Sequence, residues 1–336
     1  MSKKTLVITS IANDKHPVLA LFARECAERN IPFIVVGDTK SSQEFELDGC
    51  DFWSLEKQQK LSFELAARAP VNHYSRKNIG YLLAIKDGTD EIIETDDDNI
   101  PMPTFWLSKN RIAKGHSFKN SGWVNVYAYF TKTKIWPRGF PIENVKDKPL
   151  VLSSQGLEIL ECPIQQGLAD ENPDVDALYR LTHPLPVNFE LKNRLILGAK
   201  AWSPFNSQNT HWFKEAFPLM YLPSYCSFRM TDIWRSYVAQ RIAWECGWSI
   251  LFHEPTVWQE RNEHNLMKDF EDEIPGYINN SRICKELGEL KLKVGKENIF
   301  ENLVSCYQCL VEIEVIGSAE LVLLDAWIKD LSRLSK

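Results

Sequence analysis

The sequence predicts an α/β protein with a mainly parallel central sheet flanked by helices, followed by a helical C-terminal extension. Three observations carry that expectation. The N-terminal third alternates short apolar runs with helical periodicity, the rhythm of βαβ units whose crossovers make neighbouring strands parallel. From Ile283 onward Leu287, Leu290, Leu303, Leu310 and Leu321 to Leu324 recur at helical spacing. The composition is that of a globular chain: 44% hydrophobic and 25% charged over 336 residues. No internal repeat or clear linker divides the chain. The softest boundary, near residues 265–280, gives 1–275 as the main unit, with 1–190 and 191–275 as its halves, and 276–336 as the extension.

The elements follow in order. Thr5 to Ile11 is apolar and β-branched, a first strand. Pro17 to Arg29 places Leu19, Leu21, Phe22 and Cys26 at helix spacing after an N-terminal proline. Pro32 to Val36 is a second strand ending at Gly37-Asp38, and Phe52-Trp53 a short third one. Ser54 caps a helix running toward Ala69, which Pro70 stops. Ser75 is the expected N-cap of the next helix, where Ile79, Leu82, Leu83 and Lys86 share a face through the lysine stem and Gly88 terminates it. Glu91 to Thr95 is a strand running straight into Asp96-Asp97-Asp98-Asn99. Further on, Trp123 to Phe130, Leu219 to Ser224 and Ser249 to Phe252 read as strands. Gln165-Gln166-Gly167 and Asp174-Val175-Asp176 read as loops, and Thr231 to Cys246 as a buried helix with large apolar groups on both faces.

Charge and cysteine usage narrow the class. Lys and Arg total 39 against 45 Asp and Glu, a formal net charge of -6, which argues against nucleic acid as a partner. It leaves room for a local basic cleft. The run after Met1 is too short for a signal-peptide core and precedes no small-residue cleavage site. No stretch reaches the ~18 apolar residues that span a bilayer. A cytoplasmic location without a membrane span is therefore expected. The 8 cysteines are scattered and read as reduced and mostly buried, the lone Cys306/Cys309 pair as helix-spaced core thiols. The 11 tryptophans signal either a large core or ring surfaces for flat ligands or sugars.

The acidic triplet carries the chemistry. Alternation along an extended stretch turns Asp96 and Asp98 to one side and Asp97 to the other. Ligands of open α/β sheets bind beyond the carboxyl ends of strands, where the triplet falls. A carboxylate pair there suits Mg2+ or Mn2+ shared with phosphate oxygens; the competing reading is a solvated acidic turn before Pro101. Arg76 and Lys77 open the preceding helix and face the same choice between phosphate binding and an ordinary solvated first turn. Arg138, in a Pro-Arg-Gly turn, and Arg229, just before Asp232, are further cations, and Asp38 ends the second strand where it can meet a nucleoside or simply close a turn. His264 is a candidate third metal ligand and His253 its rival. Without GxGxxG, Walker or GxSxG patterns, the common dinucleotide, P-loop and serine-hydrolase readings fall away.

Taken as an ordered set, these motifs have a family likeness. Arg76-Lys77-Asn78-Ile79-Gly80-Tyr81-Leu82, Glu94 to Asp98, Trp136-Pro137-Arg138-Gly139-Phe140-Pro141, Gln165-Gln166-Gly167-Leu168 and Pro173-Asp174-Val175-Asp176 resemble the STELLO-type glycosyltransferases over residues 5–275. A more distant likeness is to the reversibly glycosylated polypeptides, the UDP-arabinopyranose mutases. The resemblance implies a GT-A nucleotide-sugar fold with a donor half, 1–190, and an acceptor half, 191–275. It implies a glycosyltransferase of glycan or polysaccharide synthesis, using a nucleotide-diphosphate sugar and an unidentified glycan or small-molecule acceptor. Asp96 and Asp98 become a DxD pair for Mn2+ or Mg2+, with His264 closing the shell. Thr9, Ser10, Asp38, Arg76, Lys77, Asp96, Asp97 and Arg229 would bind the nucleotide sugar. Asp232, the candidate base of an inverting transfer, and Arg138 would be catalytic. Two departures stand out: the family's N-terminal membrane anchor has no counterpart here, and Gln259 occupies the position of the mutases' late metal-binding histidine. A mutase using Arg138, or a non-catalytic GT-A-like scaffold assisting a polysaccharide synthase, are the alternatives.

Overall fold

The structure is a computed structural model describing residues 2–42, 44–152, 155–190, 193–260 and 265–335. The N-terminal half runs β1 (Lys4–Thr9), α1 (Pro17–Arg29), β2 (Phe33–Val36), β3 (Asp51–Trp53), α2 (Leu55–Gln59), α3 (Glu64–Arg68), α4 (Lys77–Lys86), β4 (Glu91–Thr95), β5 (Asn99–Pro101), β6 (Ile112–Phe118), β7 (Gly122–Trp123) and β8 (Leu157–Glu161). Then come β9 (Ile164–Asp170), α5 (Ala177–Thr182), β10 (Arg194–Leu197), β11 (Ala201–Trp202), β12 (Asn209–Phe213), α6 (Thr231–Glu245), β13 (Ile250–Gln259), α7 (Leu266–Glu289), α8 (Ile299–Glu312) and α9 (Glu320–Leu334).

The main sheet has 11 strands, ordered β3-β2-β1-β4-β12-β9-β13-β10-β6-β8, with β5 added on β13. A small β11-β7 pair stands apart. The α/β class, the helix-flanked central sheet and the C-terminal helices are as expected. So is the parallel pairing of β3, β2, β1 and β4. Beyond β4 the sheet is mixed: β12 runs antiparallel to both β4 and β9. β12 and β9 carry Thr210, His211, Gln165 and Gln166, buried polar residues without the apolar runs that mark inner strands in a sequence.

Several expected elements are corrected. Gln165-Gln166-Gly167 is not a loop but the middle of β9, its amides bonded to backbone carbonyls, Gln165 Nε2 to Asn110 O at 2.7 Å and Gln166 Nε2 to Gly167 O at 2.7 Å. Trp123 to Phe130 is not one strand: β7 ends at Trp123 and a 3-10 turn covers Val126–Tyr129. Leu219 to Ser224 forms no strand: Leu219 and Met220 end a 3-10 segment, Lys214–Met220, and the rest is irregular. The helix from Ser54 breaks into α2 and α3, although Ser54 does cap α2. Ser75 is not the N-cap of α4; it sits in a 3-10 turn, Tyr74–Arg76, and its hydroxyl pairs with Ser224 at 2.7 Å. Lys86 is exposed, because α4 is buried on all sides from Lys77 to Ala84 and presents no single inward stripe. The chain position 275 falls inside α7, which continues through Pro275.

Two packing devices aim α4 and β4 at the carboxyl edge of the sheet. Gly80 lets α4 lie directly on the strands: a Cβ there would meet Val7 Cγ1 at 2.6 Å and Val36 Cγ2 at 2.7 Å. Glu94, buried in β4, accepts from Trp212 Nε1 at 2.7 Å, from Arg235 Nη2 at 2.8 Å and Nη1 at 3.0 Å, and from the Tyr81 hydroxyl. One carboxylate thus ties β4 to α4, β12 and α6. Breaking such a buried pair by removing one partner costs about 3–5 kcal/mol. All eight cysteines are free thiols, and Cys306 and Cys309 lie buried in α8 as core groups. No helix among the described residues is long and apolar enough to cross a membrane.

Candidate functional site

The carboxyl ends of β1, β2, β4 and β13 and the start of α6 enclose a cavity of about 620 Å3. Thr9, Ser10, Asp38, Arg76, Asp96, Asp97, Asp98, Arg138, Arg229 and Asp232, scattered over more than half the chain, all line it. Asp174, Arg180, Ser207, Gln208, Phe228 and Gln259 complete much of the wall. Lys77 is not part of that wall. His264 lies outside the described residues, and its expected role is left there.

The acidic turn is held from behind. Asp96 Oδ1 accepts from the Tyr74 hydroxyl at 2.8 Å and from Lys77 Nζ at 3.1 Å. Lys77, expected at the diphosphate, is fully buried, with Nζ also on Thr95 O at 2.7 Å. A buried ammonium needs a neighbouring anion and carbonyls, and Asp96 with Thr95 supplies both. Lys77 is therefore a positioning group for the turn. Asp97 Oδ2 accepts from the Ser10 hydroxyl, and Asp98 Oδ2 from Gln259 Nε2 at 2.7 Å. Among the described residues the second oxygen of each carboxylate has no hydrogen-bond partner, and Asp98 Oδ1 is buried as well.

These surroundings raise carboxyl pKa values. Burial lifts Asp98 to about 7, reinforced by the charges of Asp96 and Asp97. Burial raises Asp96 too, against the pull of Lys77. A buried carboxylate oxygen without a donor is stabilised by a proton or by a cation, so Asp96 and Asp98 fit a divalent ion. No group of three or more His, Cys, Asp or Glu among the described residues is arranged to hold a metal. A hard cation bound by one or two carboxylates and completed by phosphate oxygens and water does not need one. His253, the rival ligand, is buried inside β13, its Nδ1 2.8 Å from Glu254 O, and does not line the cavity.

At the opposite wall, Arg138 lies between two acids. Its Nε and Nη2 donate to Asp174 at 2.8 Å each; its Nη1 and Nη2 donate to Asp232 at 3.1 and 3.0 Å. Nη1 also donates to Arg229 O, so all five N–H groups of the guanidinium are engaged. Burial favours loss of its proton, but the two carboxylates outweigh it and hold the pKa well above the ordinary arginine value. For Asp232, burial opposes ionisation, yet Arg138 brings its pKa down to about 2. Its Oδ2 also accepts from Ser207 N and the Ser207 hydroxyl, both at 3.2 Å. The turn beneath depends on Gly139, at φ 90, where a Cβ would lie 2.4 Å from Ile233 Cγ2. Gly139→Ala is expected to destabilise the protein by more than about 1 kcal/mol, read as a lower urea midpoint at unchanged slope.

The remaining expected residues divide. Asp38 receives Thr39 N at 2.7 Å and His73 N at 3.0 Å, closing its own turn at the cavity edge. Thr9 Oγ1 is buried without a hydrogen-bond partner among the described residues. Arg76 borders the cavity, but four of its N–H groups go to Gln58 Oε1, Ala69 O and Pro70 O. Arg229 directs Nε and Nη2 to Glu273 Oε1 at 3.0 and 2.8 Å. None of the tryptophans lines the cavity; Trp136, Trp212 and Trp234 put their indole N–H on Asp176, Glu94 and Asn280. The ring surfaces on the wall belong to His73, Tyr74 and Phe228, which no pattern in the sequence marked. Ser207 and Gln208 were equally hidden; a polar run of Asn206 to Thr210 looks like a loop until its burial is seen.

Fold and site together define an α/β protein whose ligand cleft opens at the carboxyl ends of parallel strands, with an acidic turn at its centre. The family model of the STELLO glycosyltransferases matches residues 229–336. Two curated proteins of Arabidopsis thaliana are similar along most of the chain. Probable glycosyltransferase STELLO2 is 28% identical over 319 residues, covering 89% of this chain and 41% of that protein. Probable glycosyltransferase STELLO1 is 26% identical over the same shares. The likeness to the STELLO type read from the motifs is thus shown, and the chain spans well under half the length of those relatives. Among solved structures, glucosyl-3-phosphoglycerate synthase from Mycobacterium tuberculosis in complex with Mn2+, uridine-diphosphate and phosphoglyceric acid aligns with a TM-score of 0.41 at 11% identity, over 85% of this chain and 77% of that one. A second structure of the M. tuberculosis enzyme gives 0.39 at 10%, over 85% and 79%. These two likenesses are too distant to bear on the chemistry.

Proposed function

We propose that the chain is a metal-dependent glycosyltransferase of GT-A type, moving a sugar from a nucleotide-diphosphate sugar to an acceptor in glycan or polysaccharide synthesis. The observation that carries this reading is the acidic turn at the end of β4, whose three carboxylates are each held by one oxygen and leave the other without a partner among the described residues. Asp96 and Asp98 would hold Mn2+ or Mg2+. When bound, the ion offsets the negative charge that grows on the departing diphosphate. The chain's own residues do the rest. Lys77 and Tyr74 fix Asp96; Gln259 fixes Asp98; Ser10 and Asp38 at the ends of β1 and β2 face the nucleoside. Residues 1–190 form the donor half and 191–275 the acceptor half under this reading, and the eight free thiols fit a reducing, cytoplasmic setting.

Asp232 takes a narrower role than a general base. Held by Arg138 well below the ordinary carboxylate range, it is a weak proton acceptor. Paired to Arg138, it suits a fixed negative charge beside the positive charge that develops at the anomeric carbon. Arg138, with every N–H engaged and its proton held, is poorly placed to act as a nucleophile, which favours transfer over the mutase reading. The test is hydrolysis of a panel of UDP-hexoses and UDP-pentoses by the purified chain. UDP release from at least one donor with Mn2+, and none in EDTA, is expected. No release from any donor with either metal counts against the reading.

A further inference from the structure

We infer that Phe228 is the platform on which a carbohydrate acceptor lays the apolar face of its ring, an assignment that rests on the glycosyl-transfer reading above. Phe228 is 53% exposed although it forms part of the cavity wall. A large apolar ring left open inside a polar, concave site marks a ligand contact. The tryptophans expected to stack on sugars all lie elsewhere, and Tyr74 spends its hydroxyl on Asp96 and Ser207.

The ring is held ready. T-shaped contacts with His73, at 5.8 Å and 72°, and with Tyr74, at 6.2 Å and 75°, fix its plane. Its backbone belongs to a 3-10 turn, Phe228–Met230, closed by Met230 N on Ser227 O at 2.8 Å. The segment before it is pinned by α9, where Glu320 Oε2 receives Ser224 N at 2.8 Å and Tyr225 N at 2.6 Å. Gly317 N on Tyr225 O at 2.8 Å adds a further tie, and Arg229 is anchored on Glu273 of α7. The C-terminal helices thus act as the splint of this segment. A surface ordered in advance gives up little entropy when a ligand arrives.

Phe228 touches both sides of the cavity: its ring meets His73, whose backbone N–H donates to Asp38, while its backbone leads into α6. The nucleoside end is built from the ends of β1 and β2, whereas Phe228 leads into α6 and stands four residues, one helical turn, before Asp232. A pyranose or furanose has a face of C–H bonds for the phenyl ring and an edge of hydroxyls for polar groups. Arg229, the next residue, lines the cavity for that edge, whereas Asn72 accepts from the Thr39 hydroxyl just beyond β2.

The experiment uses the full chain with UDP and Mn2+, and methyl β-glucoside, β-galactoside, β-xyloside and α-mannoside as probes. Saturation-transfer NMR reads contact at the ring C–H protons, and calorimetry reads UDP affinity in the same samples. At least one glycoside should receive saturation in the wild type. Phe228→Ala should weaken that contact about tenfold, Phe228→Tyr should retain it, and UDP affinity should move less than about twofold in both. Equal glycoside contact in Phe228→Ala overturns the assignment, as does a wild type that binds UDP but none of the glycosides. Loss of UDP affinity in Phe228→Ala with a retained melting temperature would place the ring under the nucleobase and overturn it too. A wild type that does not bind UDP at all removes the glycosyl-transfer reading, and this assignment with it.

Discussion

Asp98→Ala is expected to lower the proposed metal-dependent donor hydrolysis by at least about 100-fold, with the fold retained. Asp98 Oδ1 is buried without a donor, and burial together with Asp96 and Asp97 holds its pKa at about 7. Removing the side chain relieves that strain, so stability should not fall; the loss is confined to the ligand. The pH dependence has a definite sign. Below about pH 7 Asp98 carries a proton that a cation must displace. Mn2+ affinity should therefore fall about tenfold per pH unit on the acid side of 7 and level off above it. In Asp98→Ala that dependence should vanish along with most of the binding. Mn2+ titration of wild type and variant from pH 5.5 to 8.5 measures both. A wild-type affinity flat across that range would show that this carboxylate is not a ligand.

Arg138→Ala should unfold at a temperature on the order of 10 °C lower, from a loss of about 3–5 kcal/mol. The guanidinium stands between Asp174 and Asp232, whose side chains are only 13% and 10% exposed. Without it two carboxylates face each other in a part-dry wall, with Asn206 and Ser207 donating to them. Arg138→Lys should recover little, because one ammonium with three donors cannot replace two bidentate forks. Removing an acid as well, in Arg138→Met with Asp232→Asn, should recover more than Arg138→Lys does. A thermal melt decides: Arg138→Ala within about 2 °C of wild type would mean the carboxylates are solvated and the network is of little consequence.

The site was legible where chemistry and punctuation coincide. Asp96 to Asp98 follow a clear strand; Arg138 sits in a proline-glycine turn; Asp232 opens a helix. Sequence alone placed each at an element end, and all three meet at the cavity. Lys77 was misread because a charge at a helix start usually faces solvent, and nothing in one dimension reveals that Asp96 awaits it inside. β9 was missed for a related reason. Gln165 and Gln166 look like loop residues until their amides are matched to carbonyls within the sheet. The aromatic run from Trp123 misled in the opposite sense: ring-rich composition favours strands, but only Gly122-Trp123 pairs in a ladder, while Tyr127 and Tyr129 pack on Phe189 and Phe118 from a 3-10 turn. Phe228 left no trace because one exposed phenylalanine is indistinguishable from a buried one before the chain folds.

The acidic turn at the end of β4 is proposed to bind a nucleotide diphosphate through a divalent cation. Calorimetric titration of UDP into the wild-type chain at pH 8, once with Mn2+ and once with EDTA, tests it most directly. Binding with Mn2+ is expected to be at least about tenfold tighter than in EDTA, a difference of about 1.4 kcal/mol. Equal affinity in the two titrations, or no binding in either, would contradict it.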